Sequence, residues 1–142
     1  MIRNLLVALD STAIAPRVLA AATEIAERFD ARMFLCRAVM VPPEFPAAAA
    51  NAARHDALPD ILAAQALAEL RGLAAGNPRA SAETPLISYG DPWRAIVEAG
   101  ERLDVELIVV GSHLYHWPDR VLATVAGDLV NRGHRNVLVV RS

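Results

Sequence analysis

Three short stretches of the chain are apolar on successive residues rather than on alternate ones: Asn4 to Leu9 (NLLVAL), Glu106 to Val110 (ELIVV) and Asn136 to Val140 (NVLVV). A strand with that pattern needs cover on both faces, which a parallel sheet flanked by helices supplies. Two further strands are expected at Arg32 to Val39 (RMFLCRAV) and Ser81 to Ser88 (SAETPLIS). The second carries Pro85, which suits an edge. Between the strands lie amphipathic segments of helical period. Ile14 to Phe29 turns Val18, Leu19, Ala22, Ile25, Ala26 and Phe29 inward, and Leu58 to Leu73 does the same with Ile61, Leu62, Ala66 and Leu70. A third helix opens at Asp91-Pro92 and runs through Ile96 and Val97 to Leu103. A fourth opens at Pro118-Asp119, with Leu122, Val125, Ala126 and Leu129 inward and Gly133 as its stop.

The order is βαβαβαβαβ, the signature of a parallel sheet with helices on both faces. Right-handed crossovers restrict its topology. Val41 to Arg54, with Pro42, Pro43 and Pro46, is the long irregular stretch, and the whole chain of 142 residues reads as one domain. A chain of this size buries a self-sufficient core without a disulfide or a structural metal.

Composition removes several chemistries. All 14 basic residues are Arg, so a lysine-dependent phosphate loop and a Schiff-base enzyme are excluded. The single cysteine, Cys36, rules out an intrachain disulfide and any Cys-x-x-Cys motif. A net charge of -2 with no basic block argues against a nucleic-acid surface. No apolar run approaches the roughly 20 residues of a membrane-spanning helix, and Asp10 interrupts the first one. A cytoplasmic protein is expected. No G-x-S-x-G elbow, H-E-x-x-H or G-x-G-x-x-G is present, so no catalytic set is expected.

In doubly wound sheets ligands occupy the crevice at the carboxyl ends of the strands where the strand order reverses. If the first and fourth strands are neighbours, Asp10, Ser11, Gly111, Ser112 and His113 line that crevice, and the fourth helix turns its N-terminal amides toward it. His113 and His116 stand three residues apart, but no compact set of further ligands accompanies them, so no metal site is expected. Cys36, mid-strand, reads as a small hydrophobe. Trp93 and Trp117, with Arg94 and Arg120, lie at helix starts on the carboxyl side of the sheet. There they either wall a pocket or pack over helix ends.

Leu5-Leu6-Val7-Ala8-Leu9-Asp10-Ser11, Gly90-Asp91-Pro92, Leu107-Ile108-Val109-Val110-Gly111-Ser112-His113 and Val137-Leu138-Val139-Val140 follow one another at a spacing that resembles the universal stress proteins over essentially the full chain. The resemblance implies an α/β fold with a five-stranded parallel sheet of order 3-2-1-4-5. It also implies a homodimer joined through the last strand, Val137, Leu138, Val139 and Val140, an edge that would otherwise stay unpaired.

That family divides into ATP binders and members that do not bind ATP. The binders carry G-x-x-G, nine residues, then G-[S/T] after the fourth strand, with an aspartate ending the first. Asp10 and Gly111 match. The second glycine falls on Leu114, the third on Thr124 and the Ser/Thr on Val125. Glycines let backbone amides approach phosphate oxygens, and no glycine stands between Gly111 and Gly127. In its histidine and aromatic loop the chain is similar to the universal stress protein A subclass, which does not bind ATP. The resemblance thus implies a stress-response binding or regulatory protein with weak or no ATP binding and no required cofactor. The alternative is an ATP or AMP switch using Asp10, Ser11, Gly111, Ser112, His113 and Thr124. For Asp10 the choice lies between an adenine or ribose contact and a turn closed with Ser11 and Thr12.

Overall fold

The computed structural model describes residues 1–40, 58–112 and 121–141, with the backbone alone described over 121–126. Five strands, β1 (Asn4–Ala8), β2 (Arg32–Val39), β3 (Leu86–Tyr89), β4 (Leu107–Gly111) and β5 (Asn136–Val140), form one parallel sheet of order β3-β2-β1-β4-β5. The helices are α1 (Ala15–Phe29), α2 (Leu58–Ala74), the single turn α3 (Pro78–Ser81), α4 (Pro92–Arg102) and α5 (Val121–Arg132). The strand order expected from the family resemblance is the one observed. His113, His116, Trp117, Pro118, Arg120 and the stretch Val41 to Arg54 lie outside the described residues.

β1 is the central strand, and its alternate residues divide the core in two. Leu5, Val7 and Leu9 face Met33, Leu35 and Val109 together with Val18, Leu19, Ala22 and Ala26 of α1 and Leu70 and Ala74 of α2. Leu6 and Ala8 face Phe34, Cys36, Ile108 and Val110 with Ile96 and Ala99 of α4 and Leu129 of α5. Register keeps the layers aligned, since Leu6 lies opposite Phe34 on one side and Ile108 on the other. Two expected inward positions are not inward: Phe29, at the last turn of α1, is 47% exposed and Ile61 is 51% exposed. At about 100° per residue Ile61 sits about 180° around α2 from Leu70, on the side away from the sheet.

The stretch 81–88 is not a strand throughout. Asn77 caps the turn α3, its side chain accepting from the Ala80 amide at 3.1 Å, and Pro78 follows at the first helical position. β3 begins only after Pro85, at the sheet edge expected for a strand preceded by proline.

Two helix-to-strand turns are built alike. Asp30 after α1 and Asp104 after α4 both take positive φ, 52° and 49°, a conformation that costs a non-glycine residue about 1–2 kcal/mol. In each, an arginine from a later segment holds the turn. Arg79 donates to Asp30 Oδ1 and to the Ala31 carbonyl, both at 2.9 Å. Arg135 donates to Asp104 Oδ1 at 2.9 Å and to the Val105 carbonyl at 3.1 Å.

Glu106 ties the chain start to β4, its Oε2 accepting from the amides of Arg3 (3.1 Å) and Asn4 (2.8 Å). Partial burial pushes its carboxyl up, but the two amides and the Arg3 side chain outweigh it and hold the group below its usual value of 4.5. A carboxylate lowered in the folded state contributes stability above its unfolded pKa and loses it as pH falls through the folded value. Glu106→Gln is therefore expected to narrow the stability gap to wild type as pH is lowered from 6 toward 3. Urea melts across that range check it, and a gap independent of pH would refute it.

Candidate functional site

β1 and β4 are neighbours, with Ala8 opposite Val110, so their carboxyl ends meet at one edge of the sheet. Asp10, Ser11, Gly111 and Ser112 are brought to that edge. His113 lies outside the described residues, and Thr124 is placed on α5 with its side chain undescribed.

Asp10 is buried, 7% exposed, just beyond β1. Its Oδ1 accepts the Thr12 amide at 2.9 Å and the Thr12 hydroxyl at 2.5 Å, closing a turn on the chain's way into α1. Of the two readings of Asp10, the turn is present in the structure. Its other oxygen, Oδ2, is buried and has no hydrogen-bond partner among the described residues. Burial pushes the carboxyl above its ordinary value, against the Thr12 hydrogen bonds and the positive charge of Arg37. Ser11 is exposed at the rim.

Gly111 has a packing reason to be glycine. A Cβ there would meet Val18 Cγ2 at 3.1 Å and Ile14 Cγ2 at 3.5 Å, so its missing side chain makes room for the first turns of α1. The Ser112 amide donates to the Val140 carbonyl at 2.8 Å and extends the β4–β5 ladder by one residue. Both groups thus have structural work at this edge.

Sequence reasoning missed the most heavily bonded side chain here, Arg37 of β2. It is 8% exposed. Its Nε donates to the Leu9 carbonyl at 2.8 Å, one terminal nitrogen donates to the Asp10 carbonyl at 2.9 Å, and the other pairs with Glu69 of α2. The signal was a charged residue inside the apolar run that follows the exposed Arg32 at the start of the strand. Around this group lie two clefts. One, of about 320 Å³, is lined by Asp10, Arg37, Val39, Leu62, Gln65 and Glu69 among others. The other, of about 580 Å³, includes Ser11, Thr12, Pro16, Arg37, Glu69 and Leu73.

Cys36 is buried in the other half of the core, where desolvation pushes its thiol up to about 12, beyond reactive use. Trp93 is half-buried against the same half, with the guanidinium of Arg94 5.4 Å and that of Arg132 5.1 Å from its ring centre. It packs over helix ends. Among the described residues no group of three His, Cys, Asp or Glu is placed to hold a metal ion. Within the same residues no helix is long and apolar enough to cross a membrane.

The model of the universal stress protein family matches residues 1–141. The chain belongs to the universal stress protein family. Among solved structures it is similar to universal stress protein UspA from Lactobacillus plantarum, with 25% identity, 98% of this chain and 97% of that one covered, and a TM-score of 0.71. A universal stress protein in complex with cAMP is 23% identical over 99% of this chain and 97% of that one, with a TM-score of 0.66. The universal stress protein from Archaeoglobus fulgidus in complex with dAMP is 20% identical over 98% of each chain, with a TM-score of 0.58. At those identities the last two share the fold. No curated protein sequence matches the chain.

Proposed function

We propose that this universal stress protein is a cytoplasmic, homodimeric regulatory binding protein that does not work by turning over ATP. The observation that carries this reading is the state of the β4 end. Gly111 is used to admit Ile14 and Val18 of α1, and the Ser112 amide is committed to Val140. A phosphate cradle draws on free amides and glycine backbone, and the sequence from Leu114 to Gly127 offers no glycine until its last residue. Isothermal titration of ATP with Mg2+ into the wild-type protein is the test. No heat is expected up to about millimolar nucleotide, a ceiling near -4 kcal/mol. Micromolar ATP affinity would overturn the reading.

One observation favours a second reading, an adenosine monophosphate held without a triphosphate cradle. The unpartnered Asp10 Oδ2 is an acceptor beside a cleft of suitable size, and two structural neighbours are complexes with cAMP and dAMP. AMP titrated alongside ATP separates the two. Heat with AMP that Asp10→Ala abolishes would establish the second reading.

The dimer is proposed along β5. Among the described residues β5 pairs with β4 alone, and Leu138, on the face opposite Val137 and Val139, is 37% exposed. Val137 and Val139 pack inward against the core, so Leu138 is the residue to change. Leu138→Arg is expected to give a monomer by light scattering with the fold retained. An unchanged dimer mass would place the interface elsewhere.

A further inference from the structure

The geometry points to a small-oxyanion site at Arg37 that Glu69 of the same chain fills. The Arg37 guanidinium is nine-tenths buried, and two of its three acceptors are the backbone carbonyls of Leu9 and Asp10. Those carbonyls are fixed by the sheet and carry no charge. A buried cation needs a counter-charge. The nearby carboxylate of Asp10 accepts no hydrogen bond from it, Oδ1 being taken by Thr12 and Oδ2 standing unpartnered, and acts on it through charge alone. The hydrogen-bonded counter-charge comes from Glu69, and Glu69 is the exchangeable partner: its side chain is 44% exposed and lines both clefts.

Guanidinium carries five N–H donors, and three acceptors are present. Two donors therefore remain for an incoming group, and displacement of Glu69 frees a third. Gln65, one turn before Glu69 on α2, lines the smaller cleft and makes no hydrogen bond to any described residue. Ser11 stands exposed at the rim of both clefts. A guanidinium flanked by an amide and a hydroxyl is a donor set for a carboxylate or a phosphate monoester. An anion seated there competes with Glu69. Occupancy of the site consequently releases the tie between α2 and the carboxyl ends of β1 and β2. The site shares Ser11 and the smaller cleft with the adenosine-monophosphate reading but uses neither Gly111 nor Ser112, and its test with inorganic phosphate and acetate is read without any nucleotide.

The experiment titrates inorganic phosphate and acetate separately, at constant ionic strength, into wild-type protein and Glu69→Gln. Calorimetry and thermal shift are the readouts. Glu69→Gln is expected to bind at least one of the two ions about tenfold more tightly than wild type, the gain from removing an internal competitor. Tighter phosphate alone assigns the site to phosphate monoesters, and tighter acetate assigns it to carboxylates. In the Glu69→Gln background, Gln65→Leu is expected to weaken the binding severalfold and Arg37→Met to abolish it. If the Arg37 variant does not fold, the Gln65 variant carries the assignment. Equal affinity of wild type and Glu69→Gln for both ions would overturn the proposal. So would a gain that Gln65→Leu leaves untouched and that persists in a folded Arg37→Met variant.

Discussion

Arg37→Met lowers the stability of the protein by about 2–4 kcal/mol, read as a fall in Tm on the order of 10 °C. Methionine keeps the apolar stem that lies along β2 but removes the donors that satisfy the carbonyls of Leu9 and Asp10. Those carbonyls stand where β1 leaves the sheet, and each loses a charge-assisted partner in a buried place. Glu69 itself is half-exposed, so its lost ion pair is screened by solvent and adds little. This predicts an asymmetry between the two partners. Glu69→Gln keeps a hydrogen-bond acceptor and is expected to cost no more than about 1 kcal/mol. Urea unfolding of both variants measures the difference, and equal losses would mean that the pair itself, rather than the two backbone contacts, holds the strand end.

The sheet was legible because its strands are apolar on both faces. NLLVAL, ELIVV and NVLVV call for a covered parallel sheet, and the observed β1 and β5 fall within their stretches while β4 starts one residue later and ends one residue later, at Gly111. The third strand was legible only in part. In SAETPLIS the first residue belongs to a capped turn whose signal, Asn77-Pro78, precedes it, and pairing starts after Pro85. Helix faces were read correctly where a second element confirms the phase, as for Ala22 and Ala26 against β1, and incorrectly where one apolar residue was added by composition, as for Ile61.

The site divides in the same way. The positions of Asp10, Gly111 and Ser112 follow from where strands end, and that is a local property. Their commitments are not local. Gly111 is tied to Ile14 and Val18, nearly a hundred residues earlier, and Ser112 to Val140. Arg37 escaped notice because six of the seven other residues of RMFLCRAV are apolar, and its acceptors, Leu9, Asp10 and Glu69, come from two other segments. A long-range hydrogen-bond set has no period and no spacing. Only the fold reveals it.

Leu70→Ala is expected to destabilise the protein by about 2–5 kcal/mol, the lost transfer energy plus the cavity left behind. The size follows from how α2 meets the sheet. Its buried residues are Ala66, Leu70 and Ala74, spaced one turn apart, so a single large side chain fills the contact between two small ones. Leu70 is fully buried in the half of the core formed by Leu5, Val7, Leu35 and α1. Alanine at both flanking positions lets the helix approach closely, which leaves little room for collapse into the vacancy. Ile61→Ala on the same helix removes a comparable side chain from a position half open to solvent and is expected to change stability by less than about 0.5 kcal/mol. Paired urea melts settle the contrast. Similar losses for the two would show that Ile61 is covered in solution, and that the outer face of α2 belongs to an interface. A small loss for Leu70→Ala would instead show that α2 is held by its Glu69 contact rather than by its packing.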